Sequence, residues 1–431
     1  MSVFVKNSGS RSVSKAVSGI ALLAASALVL AGCAAAEEEP TTEPATEETT
    51  APAENLELLI GTALPLTGTL AFLGPPEEAG VALALKDIND AAAGITVTAE
   101  YGDSGDLDNK AYETEVPRLL NAGVKAIVGA ASSGVSLQFI DQVTGAGVIQ
   151  FSPANTSPAF TTYEDGGLFF RTAPSDLLQG EVLGNLMAED GHSTAAMLVL
   201  NDAYGTGLAA ATKASFEAAG GTIVAEPTFN SADTNFTSQI STILAAAPDA
   251  IVIIAFDETK TIIPELVSQF PAENLYFVDG NLANYAEDFP AGTLTGTKGT
   301  LPGLNIETIK DFTDRMNENW VAEGNADLGG VFAYGPESYD AVVLIALASL
   351  AAGSTESADI AAKLREVSGG EGGGTKCFSF AECAEIINGG GVADYDGVSG
   401  PITFDEFGDP TEAEIGVYIY QEDNTYLPYE G

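Results

Sequence analysis

The sequence is poor in the residues that most often do chemistry. It holds one histidine, three cysteines and one tryptophan in 431 residues. A single histidine cannot supply a two-histidine metal site. His192 sits in EDGHSTAAM, a loop entering a strand, and reads as an ordinary surface residue. No metal or other cofactor is expected. Basic residues are also scarce: 16 Lys and Arg stand against 61 Asp and Glu, a formal net charge of −45. Nucleic-acid binding through a basic patch is therefore excluded. The acidic excess is spread along the chain, as in a solubility or salt-adapted surface. Hydrophobic residues nevertheless make up 45% of the chain, which excludes general disorder. The length suffices for two or three domains with cores of their own.

Acid is missing altogether before Glu37, while Lys6, Arg11 and Lys15 make a basic start. The apolar stretch Ala16–Ala31 is short for a membrane span. It ends in Leu30-Ala31-Gly32-Cys33, which resembles the lipobox of bacterial lipoproteins, where a cysteine after small residues is diacylated. The resemblance implies a signal peptide over 1–32, lipidation of Cys33 and an extracytoplasmic protein anchored to the outer face of the cell membrane. Residues 33–55, rich in Thr, Pro and Glu, cannot repay their ordering entropy by burial and read as a solvated tether. The other cysteines, Cys377 and Cys383 in KCFSFAECAE, form an even pair in an exported chain, so a small disulfide loop is expected.

From Leu56 onward the chain alternates β and α patterns. LELLIGTALPL, ITVTAEYGD, KAIVGA and VIQFSPA read as strands separated by helices, and AAMLVLND, AIVIIAFD and NLYFVDG continue the beat. Continuous Val/Ile runs belong to sheets covered on both faces. Two such sets predict an α/β protein with two doubly wound parallel-sheet lobes. EIGVYIYQED, near the C-terminus, alternates as an antiparallel strand does.

In open α/β sheets ligands sit beyond the carboxyl ends of the strands. The end at Ala130–Ser133 is AASSG opening a helix; Ser132 and Ser133 either cap that helix or present donors to an anion. Ser133 is the better candidate for a plain cap. In FSPANTSPAF two prolines stiffen a turn holding Ala154, Asn155 and Thr156. The second set offers Tyr204 in NDAYGTG, Phe256 in AFDE and Asp279 in FVDG, where Asp279 either caps a short helix or meets an ammonium group. Phe72 in TGTLAFLG supplies an apolar wall or plugs a core. No strand end places a nucleophile beside a base, and an enzyme is not expected.

The run IVGAASSGVSLQF…GVIQFSPANTSPAFT…LFFRTAPSD resembles the leucine/isoleucine/valine-binding proteins of ABC importers, the type I periplasmic-binding fold. TALPLTGTLAFLG, NDAYGTG, YDAVVLIALA and GPITFDEFGD extend the likeness to roughly Leu56 through the C-terminus. The resemblance implies a Venus-flytrap of two lobes, 56–173 with 299–399 and 174–298 with 400–431. Its three hinge crossings fall near Arg171–Pro174, Gly296–Gly299 and Ser399–Ile402. It places an amino-acid carboxylate on Ser132, Ala154 and Thr156 and the ammonium on Asp279, with Tyr204, Phe256 and Phe72 at the side-chain end. Relatives carry Glu one position further on, where this chain has Gly280. The implied role is a monomeric substrate-binding lipoprotein that delivers an amino acid or small amide to ABC permease subunits. A ligand-sensing lipoprotein signalling to a separate receptor is the alternative.

Overall fold

The computed structural model describes residues 55–429; the expected signal peptide, tether and Cys33 lie outside this range, except for Asn55. Strands β1 (Leu56–Ala63), β2 (Ile95–Glu100), β3 (Ala126–Gly129), β4 (Ile149–Ser152) and β5 (Phe169–Arg171) form a parallel sheet. Their spatial order is β2-β1-β3-β4-β5. The next six are β6 (Thr194–Leu200), β7 (Thr222–Ala225), β8 (Thr228–Phe229), β9 (Ala250–Ile254), β10 (Leu275–Phe277) and β11 (Lys298–Pro302). Here β7-β6-β9-β10-β11 repeats the order of the first sheet, with β8 also paired to β6. Both sheets reverse winding once, between β1 and β3 and between β6 and β9, and such switch points open a crevice at the strand carboxyl ends.

Three further strands, β12 (Thr375–Cys377), β13 (Ala393–Gly397) and β14 (Gly400–Pro401), make a small sheet of their own. The last two, β15 (Ile415–Tyr420) and β16 (Tyr426–Pro428), add to the second sheet antiparallel to β11 and to each other. Cys377 and Cys383 are joined as a disulfide with Cα atoms 5.4 Å apart.

The Val/Ile runs are buried as their composition demands: every residue of β3 and β9 is enclosed. The helix Gly335–Ala352, apolar on all sides over residues 341–348, has residues 335–349 all buried, as a core helix must.

Two expected crossings move. All of β11 belongs to the second sheet, pairing with β10 and β15, so the second crossing follows Pro302 rather than lying at Gly296–Gly299. Its apolar Leu301 has a place in the second core and none in the first. Likewise β14 pairs with β13, and Ile402 and Phe404 pack in the first core. Phe404 contacts the rings of Phe151 and Phe170 with centroids 5.9 and 5.6 Å away. The third crossing therefore follows Phe404 instead of spanning Ser399–Ile402.

The crossings are tied together. Arg171 is fully buried and its Nε and Nη2 donate to Asp409 at 2.6 Å each, while Nη1 donates to the carbonyls of Asn155 and Ser157. Gly303 N donates to Glu414 O at 3.0 Å, joining the second crossing to the third.

Candidate functional site

The crevice is built from five strand ends. On the first lobe, the turns after β3 and β4 are stitched side by side. Ser152 Oγ donates to Ala130 O at 2.7 Å, and Asn155 Nδ2 donates to the carbonyls of Ala130 and Ala131 at 3.0 and 2.8 Å. The small residues of AASSG thus let a neighbouring turn approach their backbone. Ser132 is the helix cap, accepting from Val135 N at 3.3 Å. Ser133, expected as the plain cap, instead accepts from Ser157 N across the two turns. The reason is local: Ser132 has the extended backbone of a cap, and Ser133 already lies in the first turn.

On the second lobe, the rings of Tyr204 and Phe256 stack 5.4 Å apart at 16°. Tyr204 Oη donates to Asp279 Oδ1 at 2.7 Å, and Tyr334 Oη, from the first lobe, donates to Oδ2 at 2.7 Å. The Asp279 side chain therefore faces the cleft; the residue at the cap position of the short turn Asp279–Asn281 is Val278. Gly280 makes this fit possible. A Cβ there would lie 2.8 Å from Phe256 Cδ1 and 2.9 Å from Tyr204 Oη. The larger side chain expected at this position in relatives has no room.

Leu70, Leu73, Ser132, Ser133, Ala154, Tyr204, Phe256, Asp279 and Tyr334 surround a cavity of about 20 Å³, roughly the room of one water. Six of the expected contact residues meet here. Thr156 lies beside them, 1% exposed, with a hydroxyl that has no hydrogen-bond partner. Phe72 does not line the cavity. It is half-buried and packs on the second core, while Leu70 and Leu73 of the same loop supply the apolar wall.

Three residues were not legible from the sequence. Asp176 opens the helix Asp176–Glu189, and its N–H donates to Thr156 O at 2.7 Å. It is fully buried, and neither carboxylate oxygen has a partner. An acid in a first helical turn after Ser175 looks like an ordinary dipole partner, which disguised it. Gln179, one turn on, leaves its Oε1 unpaired while Nε2 donates to Thr300. Tyr334 stands before a Gly-Pro helix start, far from the other site residues in sequence.

Burial raises the pKa of Asp176 well above the carboxylate range, the neighbouring Asp279 raises it further, and Thr156 and Arg171 offset part of this. Burial also raises Asp279, against the donors Tyr204 and Tyr334 that lower it. The tyrosine hydroxyls are pushed well above their usual range, chiefly by burial, and stay protonated as donors. Two carboxylates thus share a dry site and repel one another, and a cationic group between them is the species that relieves both. The hydroxyls of Ser132 and Ser133, which line the cavity with Asp279, suit a carboxylate.

Residues 57–399 match the family model described as periplasmic binding protein. The chain is 27% identical over 322 residues to a Leu/Ile/Val-binding protein homolog of Brucella abortus, covering 72% of this chain and 82% of the relative. It is 25% identical over 371 residues to a leucine-, isoleucine-, valine-, threonine- and alanine-binding protein of Pseudomonas aeruginosa, covering 85% and 90%. A chemotactic signal transduction substrate-binding protein of Halobacterium salinarum is 23% identical, with 80% and 82% covered. Among solved structures, a leucine-binding protein of Thermotoga maritima superposes with a TM-score of 0.70 at 20% identity, covering 86% of this chain and 97% of that one.

Proposed function

Since the chain belongs to the periplasmic binding protein family, we propose that it is an extracytoplasmic substrate-binding protein that captures an α-amino acid, or a related small amide, between its two lobes. The observation that carries this reading is the polarity of the crevice. Ser132 and Ser133 of the first lobe and Asp279 of the second line the same cavity, with Asp176 buried beside Thr156 at its edge. A zwitterionic head group has the matching ends.

The ligand first meets the turns of the first lobe; the second lobe then closes with Tyr204, Phe256, Asp176 and Asp279. Closure is favoured because both sets of contacts exist only in the closed form. Ser157 Oγ, which donates to Ala203 O at 2.7 Å, and the Tyr334–Asp279 bond hold the two lobes together. The bound amino acid passes to ABC permease subunits, with the protein tethered through a lipid on Cys33. The Halobacterium relative supports a second use of the same closure, reported to a signalling partner instead of a permease. Disruption that abolishes amino-acid uptake supports the first use; loss of chemotaxis alone supports the second.

A thermal-shift screen over amino acids, small amides and small anions tests the ligand class. A raised melting temperature with an amino acid or amide is expected, and shifts only with anions overturn it.

A further inference from the structure

The cavity at the head-group site is too small for an amino-acid side chain, but a larger one adjoins it. A chamber of about 130 Å³ shares Leu70, Ser132 and Phe256 with the site and is lined from both lobes. We propose that the ligand's side chain passes Phe256 into this chamber and ends there in a cationic group beside Asp202, so that the preferred ligand is a basic α-amino acid. This rests on the amino-acid reading above and specifies it.

Three observations carry the proposal. The first is continuity: the shared wall residues put the chamber where the chain of a bound amino acid leaves the head group. The second is an unmet acceptor. Asp202 Oδ1 accepts from Gly205 N at 2.7 Å and caps the helix Ala203–Ala218, but Oδ2 is sealed from solvent without a partner. That oxygen lies against Gly134 of the other lobe, where a Cβ would stand 2.8 Å from it. The third is the sign of the charge. Asp106 and Asp202 line the chamber, and Lys, Arg and His do not. Burial pushes Asp202 up to about 6, against the backbone N–H groups of Gly205 and Tyr204 that lower it.

A branched aliphatic side chain would set methyl groups against Asp106 and Asp202 and bring neither a donor. An amide would bring its NH2 group but also a carbonyl oxygen toward Asp106 and Asp202. An ammonium brings donors alone.

Calorimetric titration of the whole protein with lysine, norleucine, leucine and glutamine tests this. Norleucine is lysine's carbon chain without the ammonium. Lysine is expected to bind at least about tenfold more tightly than norleucine or leucine. Asp202→Asn keeps the capping oxygen and is expected to cut the lysine-to-norleucine affinity ratio by about tenfold. Norleucine, leucine or glutamine binding as tightly as lysine overturns the proposal while sparing the head-group reading. A ratio unchanged in Asp202→Asn also overturns it. Failure of every amino acid to bind overturns both. The wild-type contrast decides the matter even if the variant fails to fold.

Discussion

Tyr334 of the first lobe donates its hydroxyl to Asp279 of the second, at 2.7 Å, in a site where both residues are buried. The bond crosses the cleft, so it forms only when the lobes meet. Tyr334→Phe removes it and leaves the ring. The expected result is weaker ligand binding by about 1–2 kcal/mol and a larger radius of gyration by X-ray scattering. Tyr204→Phe, whose bond to Asp279 lies within one lobe, is expected to weaken binding without that expansion.

Gly280 is the close-approach residue of the site. Adding a methyl group there meets Phe256 and Tyr204 at less than 3 Å. Gly280→Ala is expected to reduce ligand affinity at least about tenfold by displacing the stacked rings, with far-ultraviolet circular dichroism unchanged. Wild-type affinity in this variant contradicts the closed geometry.

Acidification is expected to stabilise the fold. Burial raises Glu337 to about 8, Glu78 and Glu258 to about 7, and Asp340 to about 6. Each therefore holds more proton in the folded chain than in the unfolded one between roughly pH 4 and 8, where the unfolded groups are already ionised. Stability then falls as pH rises through that window. Melting temperature measured at constant salt is expected to be higher at pH 5 than at pH 8, and Glu337→Gln is expected to flatten part of the slope. A melting temperature that rises with pH contradicts these environments.

The Arg171–Asp409 pair locks the first and third crossings. Asp409→Asn leaves a buried guanidinium short of its counter-charge, and a loss of about 3–5 kcal/mol is expected in urea unfolding. Conversion of both residues to apolar ones is expected to cost less than the single change, since no uncompensated charge remains.

Much of this architecture is written locally. The Val/Ile runs, the glycine-rich turns and the alternating C-terminal strand announce themselves by period and composition, and they mark the strand ends that line the crevice. Ser132, Ala154, Tyr204, Phe256 and Asp279 follow from that logic. Asp176 and Tyr334 do not, because each looks like an ordinary helix start and only the packing of one lobe on the other brings it to the cleft. Of the two places open to Phe72 the structure shows the core, because a loop's rotation decides which of its neighbouring apolar residues faces the site. The crossing after Pro302 depends on strand pairing between segments more than a hundred residues apart, as with Thr300 and Val417, and the one after Phe404 on the distant rings of Phe151 and Phe170.

The central claim is that both ends of an amino-acid head group are read. Calorimetry with the best-binding amino acid, its decarboxylated amine and its deaminated acid tests this most directly, in wild type and in Thr156→Ala and Asp279→Asn. Loss of either end of the ligand is expected to abolish measurable binding, and each variant to weaken the intact amino acid by about 1–3 kcal/mol. An amine or acid that binds as well as the amino acid, or undiminished affinity in both variants, contradicts the account.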